Sequence, residues 1–101
     1  MTRAELLAFH MRCCIEMQGI IARKNADYAG GGNPFKNFEL VNDLGICSTA
    51  EGILVRMCDK VSRISNLINT DAQVKDESIK DTLLDLANYS LILAAYLESS
   101  K

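Results

Sequence analysis

Residues 48–69 read STAEGILVRMCDKVSRISNLIN. The first four have the S-x-x-E spacing of a capping box, in which Ser48 and Glu51 satisfy each other's backbone N–H groups and start a helix. Leu54, Met57, Cys58, Val61, Ile64, Leu67 and Ile68 then recur at three- and four-residue steps, which gives a wide apolar face. The same steps bring Arg56, Asp59, Lys60 and Arg63 to one side of that helix. A helix of this length with so broad an apolar face needs other helices to cover it.

Both flanks supply them. Downstream, a polar connection over 70–75 leads to Asp76, which can cap a last helix, with Glu77 well placed at the positive end of its dipole. That helix carries Ile79, Leu83, Leu86, Ala87, Leu91, Ala94 and Ala95 and is expected to end near Glu98. Upstream, Thr2 and Glu5 form a T-x-x-E box, and Leu6, Leu7, His10, Cys14, Met17, Ile20 and Ile21 make an apolar stripe to about Lys24.

Residues 25–47 interrupt the pattern. They hold three consecutive glycines, Gly30 to Gly32, and the only proline, Pro34, so the chain turns there. Phe35 and Phe38, three apart, predict the inner face of a short helical segment that Gly45 closes. Nothing alternates with period two. The expected fold is all-α, a small helical bundle of three long helices plus a short helical loop segment, with residues 1–101 as a single domain.

Composition narrows the function. The 101 residues carry a formal net charge of −2 and are 49% hydrophobic but only 6% aromatic. No basic excess exists to displace counterions from a duplex, so general nucleic-acid binding is not expected. No uncharged apolar run reaches the length of a membrane span, and no basic segment precedes an apolar one as in a leader, so a cytoplasmic protein with no membrane partner is expected. With one histidine, His10, and no C-x-x-C among Cys13, Cys14, Cys47 and Cys58, a zinc site is not expected and the cysteines read as small reduced hydrophobes. A small, aliphatic-rich domain is expected to cover some apolar surface with another copy of itself.

The chemistry-bearing residues sit on two helices. Glu77, Asp81, Asp85 and Asn88 fall within a sector of about 80° on the last helix. Arg56, Asp59, Lys60 and Arg63 share one side of the central helix. If the two helices pack antiparallel, these sectors face each other across a charged cleft that can take phosphates and a divalent cation. Solvated outer faces and salt bridges within one helix explain the same spacing without a site. The triple glycine is no phosphate loop, since no Gly-Lys-Ser/Thr follows; a hinge and a loop closing on a base both remain open.

Longer motifs carry a resemblance. Lys24-x-x-Asp27-Tyr28, then Asn33-Pro34-Phe35 and Asn37-Phe38, then Arg56-x-x-Asp59-Lys60-x-x-Arg63, then Asp81-Thr82-x-x-Asp85-x-x-Asn88-Tyr89 together resemble the phage and bacterial nucleotide modification associated domain 1 family. That family is similar in turn to the all-α MazG-like pyrophosphohydrolases and dimeric dUTPases. The resemblance implies a MazG-like fold, often dimeric or tetrameric. It also implies Mg²⁺- (or Mn²⁺-) dependent cleavage of a nucleoside or deoxynucleoside triphosphate to monophosphate and pyrophosphate.

On that reading Asp81 and Asp85 are catalytic, and Asp59, Glu77, Asp81 and Asp85 are the metal ligands. Lys24, Asp27, Tyr28, Asn33, Asn37, Arg56, Lys60, Arg63, Asn88 and Tyr89 bind the nucleotide. The E-E-x-x-E motif of MazG-like enzymes has no counterpart here, because the central helix offers only Asp59 among cations. The alternative is therefore a non-catalytic nucleotide-binding protein that senses or sequesters a nucleotide.

Overall fold

The structure is a computed structural model that describes residues 1–28, 31–70 and 78–101. Four helices appear among the described residues, α1 (Arg3–Tyr28), α2 (Lys36–Asp43), α3 (Thr49–Leu67) and α4 (Ile79–Ser99), with no strand. The all-α class and the pattern of three long helices and one short one therefore stand. The chain divides into two compact units, Met1–Pro34 and Phe35–Lys101.

The first unit is α1 and the segment after it. Thr2 Oγ1 accepts from the Glu5 N–H at 3.1 Å, so the T-x-x-E signal does mark the helix start. The helix runs four residues past the expected stop at Lys24. Asn25 to Tyr28 contain neither Gly nor Pro, and nothing before the glycines forbids helical backbone there. Asn25 instead points its side chain forward, donating from Nδ2 to the Pro34 carbonyl at 2.7 Å and holding the turn against the helix end. The buried residues of α1 are Cys13 and Met17, whereas Leu6, Leu7, His10 and Cys14 of the expected stripe are exposed.

The second unit is α2, α3 and α4. Its first helix ends in a Schellman motif: Gly45 takes φ +74°, the Gly45 N–H donates to the Asn42 carbonyl, and the Ile46 N–H donates to the Val41 carbonyl. A side chain at residue 45 would be strained in that conformation. The short turn to Ser48 then starts α3 through the expected box, with Ser48 Oγ accepting from the Glu51 N–H and Glu51 Oε1 from the Ser48 N–H, both at 3.1 Å.

The start of α4 differs from expectation. Its cap is Ser78, whose Oγ accepts from the Asp81 N–H at 3.1 Å while Asp81 Oδ2 accepts from the Ser78 N–H at 3.3 Å. Ser78 and Asp81 have the spacing of a capping box with a shorter carboxylate, which is why the helix starts there. Asp76 lies outside the described residues.

Packing in this unit selects residues that helical periodicity alone does not. Ile53, with no exposed surface, is the centre of the core, and Thr49, Phe38, Leu84, Thr82 and Asn88 are buried with it. Leu54, Cys58, Val61 and Ile68 of the expected α3 face are exposed, as are Leu83 and Leu91 of α4. These helices are apolar on more than one face, so the buried face is set by which row fits its neighbours. Helix α2 is held to α4 by two edge-on aromatic pairs, Phe35–Tyr96 at 5.4 Å and Phe38–Tyr89 at 6.4 Å between ring centres. It meets α3 at Gly52, where a Cβ would lie 2.6 Å from a Val41 methyl. A glycine there lets the two helices approach.

Candidate functional site

Helices α3 and α4 pack along a polar seam built rung by rung. Arg63 Nε donates to Thr82 Oγ1 at 3.3 Å. One turn on, Lys60 Nζ lies 3.2 Å from Asp85 Oδ2, with side chains 22% and 18% exposed. One turn further, the Arg56 guanidinium stands 4.7 Å over the Phe38 ring, which packs edge-on against Tyr89. Positions 63, 60 and 56 fall by three and four along α3 while 82, 85 and 89 rise by three and four along α4. Each row stays on one helical face, and the helices run antiparallel. Seven residues at 1.5 Å each make the row about 10 Å long.

Of the two polar sectors expected from helical spacing, the pair that meets across this seam is Lys60 with Asp85. Three half-buried cations stand along α3, and Asp85 is the carboxylate of α4 within ion-pair distance of one of them. Burial matters here, because a cation sheltered from water attracts an anion more strongly than one on a solvated face. At the aromatic end Phe38 is buried, with Arg56 over its face and Tyr89 at its edge. Asn88 is buried beside this row in sequence. On α2, Asn37 Oδ1 is buried without a hydrogen-bond partner, an acceptor that a ligand donor could satisfy.

Lys24, Asp27 and Tyr28 occupy the last turn of α1, exposed, and Asn33 is exposed in the segment after it, all in the first unit. Asp59 is exposed on α3, and Glu77 lies outside the described residues. Asp81 is exposed and closes the α4 capping box. Among the described residues no group of three or more His, Cys, Asp or Glu is placed to hold a metal ion. Among the described residues Asp81 closes a cap and Asp85 is paired to Lys60, so these two do not by themselves supply the several oxygen ligands that Mg²⁺ or Mn²⁺ seeks.

Thr82 was not singled out from the sequence, although it is 2% exposed and anchors Arg63. Its signal was its place between Asp81 and Asp85, one turn before the carboxylate that meets Lys60. Residues 24–96 match the family described as nucleotide modification associated domain 1. The chain belongs to that family. The nucleotide modification associated domain 1 match takes in all of α2 and α3 and most of α4, so every rung of the seam lies within it. Its description associates the chain with nucleotide modification and names no reaction. No curated protein and no solved structure matches the chain. No helix among the described residues is long and apolar enough to cross a membrane.

Proposed function

We propose that the chain binds a nucleotide along the α3–α4 seam, with Arg56, Lys60 and Arg63 on the phosphates. The observation that carries this reading is the row of three half-buried cations along one side of α3, with Asp85 paired to the middle one. Such a row places positive charge at a spacing that suits a chain of phosphates better than one carboxylate ligand. Tyr89 at the Arg56 end supplies a surface for the sugar or base, and Asn37 and Asn88 supply polar groups to read it. Family membership supports a nucleotide as the ligand.

A second reading, pyrophosphohydrolysis of a nucleoside triphosphate as in MazG-like enzymes, is favoured by Asp85, a half-buried carboxylate among cations. Phosphate drawn to Lys60 would release that carboxylate toward a water molecule. A Mg²⁺-dependent reaction needs further oxygen ligands that the described residues do not assemble, so binding is the first reading. The protein would act in the cytoplasm on free nucleotides. Exposed Leu54, Val55, Val61 and Ile68 on α3 support self-association into a dimer or tetramer.

The test is thermal unfolding with each ribo- and deoxyribonucleoside triphosphate, once in EDTA and once with Mg²⁺, beside chromatography of the products. A stabilising shift in EDTA without turnover is expected. Monophosphate and pyrophosphate appearing only with Mg²⁺ would promote the second reading, and no shift with any nucleotide would end both.

A further inference from the structure

Thr82 is buried at the seam and its hydroxyl is committed on both sides. Its Oγ1 donates to the Ser78 carbonyl at 3.1 Å, and the same carbonyl accepts the Thr82 N–H at 3.1 Å. A threonine hydroxyl has one proton. With that proton given to Ser78, the oxygen can meet Arg63 only as an acceptor, and Arg63 Nε donates to it at 3.3 Å. Donation to a carbonyl also polarises the hydroxyl and makes it a better acceptor. Ser78 is itself fixed as the α4 cap through Asp81. The chain of contacts therefore runs from the capping box at the start of α4 through Ser78 and Thr82 to the Arg63 guanidinium.

We infer that Thr82 is a positioning residue that aims Arg63 at the phosphate end of the nucleotide; this rests on the proposed binding at the seam. A guanidinium is a planar fork, so fixing Nε–H fixes the direction in which the two Nη groups point. Paired Nη–H groups match two oxygens of one phosphate, and a fork held in place loses less freedom on binding than a swinging one. Thr82 is suited to this because it is neutral. A carboxylate at the same place, as Asp85 is for Lys60, would compete with the phosphate for the cation. Arg63 makes other contacts in the chain, so a phosphate would exchange with them rather than meet an idle group. Thr82 can keep its hydrogen bond to the Arg63 Nε–H while the Nη groups take a phosphate in place of their present contacts.

The test compares Thr82→Val, which keeps the shape and removes the acceptor, with Thr82→Ser, which keeps the acceptor. Calorimetric titration uses the best nucleoside triphosphate for the wild-type chain and inorganic triphosphate as a second probe. Thr82→Val should weaken both ligands roughly tenfold, with Thr82→Ser within about twofold of wild type. In an Arg63→Lys background, which keeps the charge and lacks the Nε–H, Thr82→Val should add nothing. The Arg63 Nε–H resonance should be protected from exchange in wild type and Thr82→Ser. A merely structural threonine would move the melting temperature and leave this pattern of affinities unchanged.

Wild-type binding with Thr82→Val equal to it overturns the inference and leaves the nucleotide reading in place. Failure of the wild-type chain to bind either probe overturns that reading and the inference with it. Should Thr82→Val not fold, Arg63→Lys alone decides: a tenfold loss despite retained charge supports the aimed fork, and unchanged affinity overturns it.

Discussion

Lys60 Nζ and Asp85 Oδ2 stand 3.2 Å apart across the α3–α4 seam, each side chain about four-fifths buried. An ion pair at that depth joins the two helices. Removing the charge from one partner leaves the other half-buried and less well paired. Asp85→Asn is therefore expected to cost about 1 kcal/mol of stability, read by urea unfolding. It should retain or strengthen nucleotide binding, since Lys60 no longer faces an anion, and should end any turnover. Unchanged stability would show that the pair contributes little to the fold.

Gly52→Ala tests the α2–α3 contact. Alanine favours helix by about 1 kcal/mol over glycine, yet its methyl would press 2.6 Å from Val41 Cγ2. Overpacking of this kind typically costs about 1–3 kcal/mol and outweighs the helical gain when the neighbour cannot move. A net loss of stability is expected, with Val41→Ala in the same chain recovering part of it. A stabilised Gly52→Ala would mean that Val41 turns aside freely.

The α4 capping box separates two roles for Asp81. Ser78→Ala and Asp81→Ala should each lower stability by about 1 kcal/mol, and the double variant by clearly less than the sum, because the two groups serve each other's N–H. Nucleotide affinity should change little in Asp81→Ala. A collapse of binding or turnover with stability intact would return Asp81 to the catalytic role that its motif suggested.

Glu51 introduces a pH dependence. Hydrogen bonds from Ser48, first through its side chain and then through its backbone N–H, hold the Glu51 carboxyl below its ordinary value of 4.5. A group whose folded value is depressed stabilises the fold above its unfolded value and loses that contribution as pH falls through the folded one. Stability should therefore decline below about pH 4.5, and Glu51→Gln should flatten the part of that decline that Ser48 creates. Parallel pH profiles for the two chains would count against the assignment.

At the other end of the seam, Arg56→Gln should weaken nucleoside triphosphate binding and reduce its dependence on salt, since one phosphate-facing charge is gone. Arg56→Lys should recover the salt dependence but not the full affinity, because a lysine stacks less well over Phe38 at the 4.7 Å seen for the guanidinium. Equal affinity for all three chains would place the phosphates away from Arg56.

Local chemistry was legible wherever a signal and its partner sit within a few residues. Thr2 with Glu5, Ser48 with Glu51 and Gly45 after Asp43 all mark helix ends that the structure contains. Asp76 precedes the apolar run and reads as a cap, yet Ser78 with Asp81 makes the reciprocal box. The S-x-x-D spacing could have been read as a start. Rows 56, 60, 63 and 81, 85, 88 are visible as polar sectors, whereas Thr82 stands in the motif with no partner in near sequence, and its hydrogen bond from Arg63 spans 19 residues.

By itself the sequence determined that this chain is helical, where three of its helices begin or end, and which charged residues share a side of α3 and of α4. Those features depend on spacing and on hydrogen bonds between near neighbours, and both are fixed by local order in the chain. Tertiary structure alone decided that Ile53 rather than Leu54 is buried, that Lys60 meets Asp85, and that Thr82 holds Arg63. The physical reason is that α3 and α4 are apolar on several faces, so burial energy alone favours no single rotation. Rotation and register are settled by the fit of Gly52 against Val41, the two aromatic pairs of α2 with α4, and the polar rungs between α3 and α4.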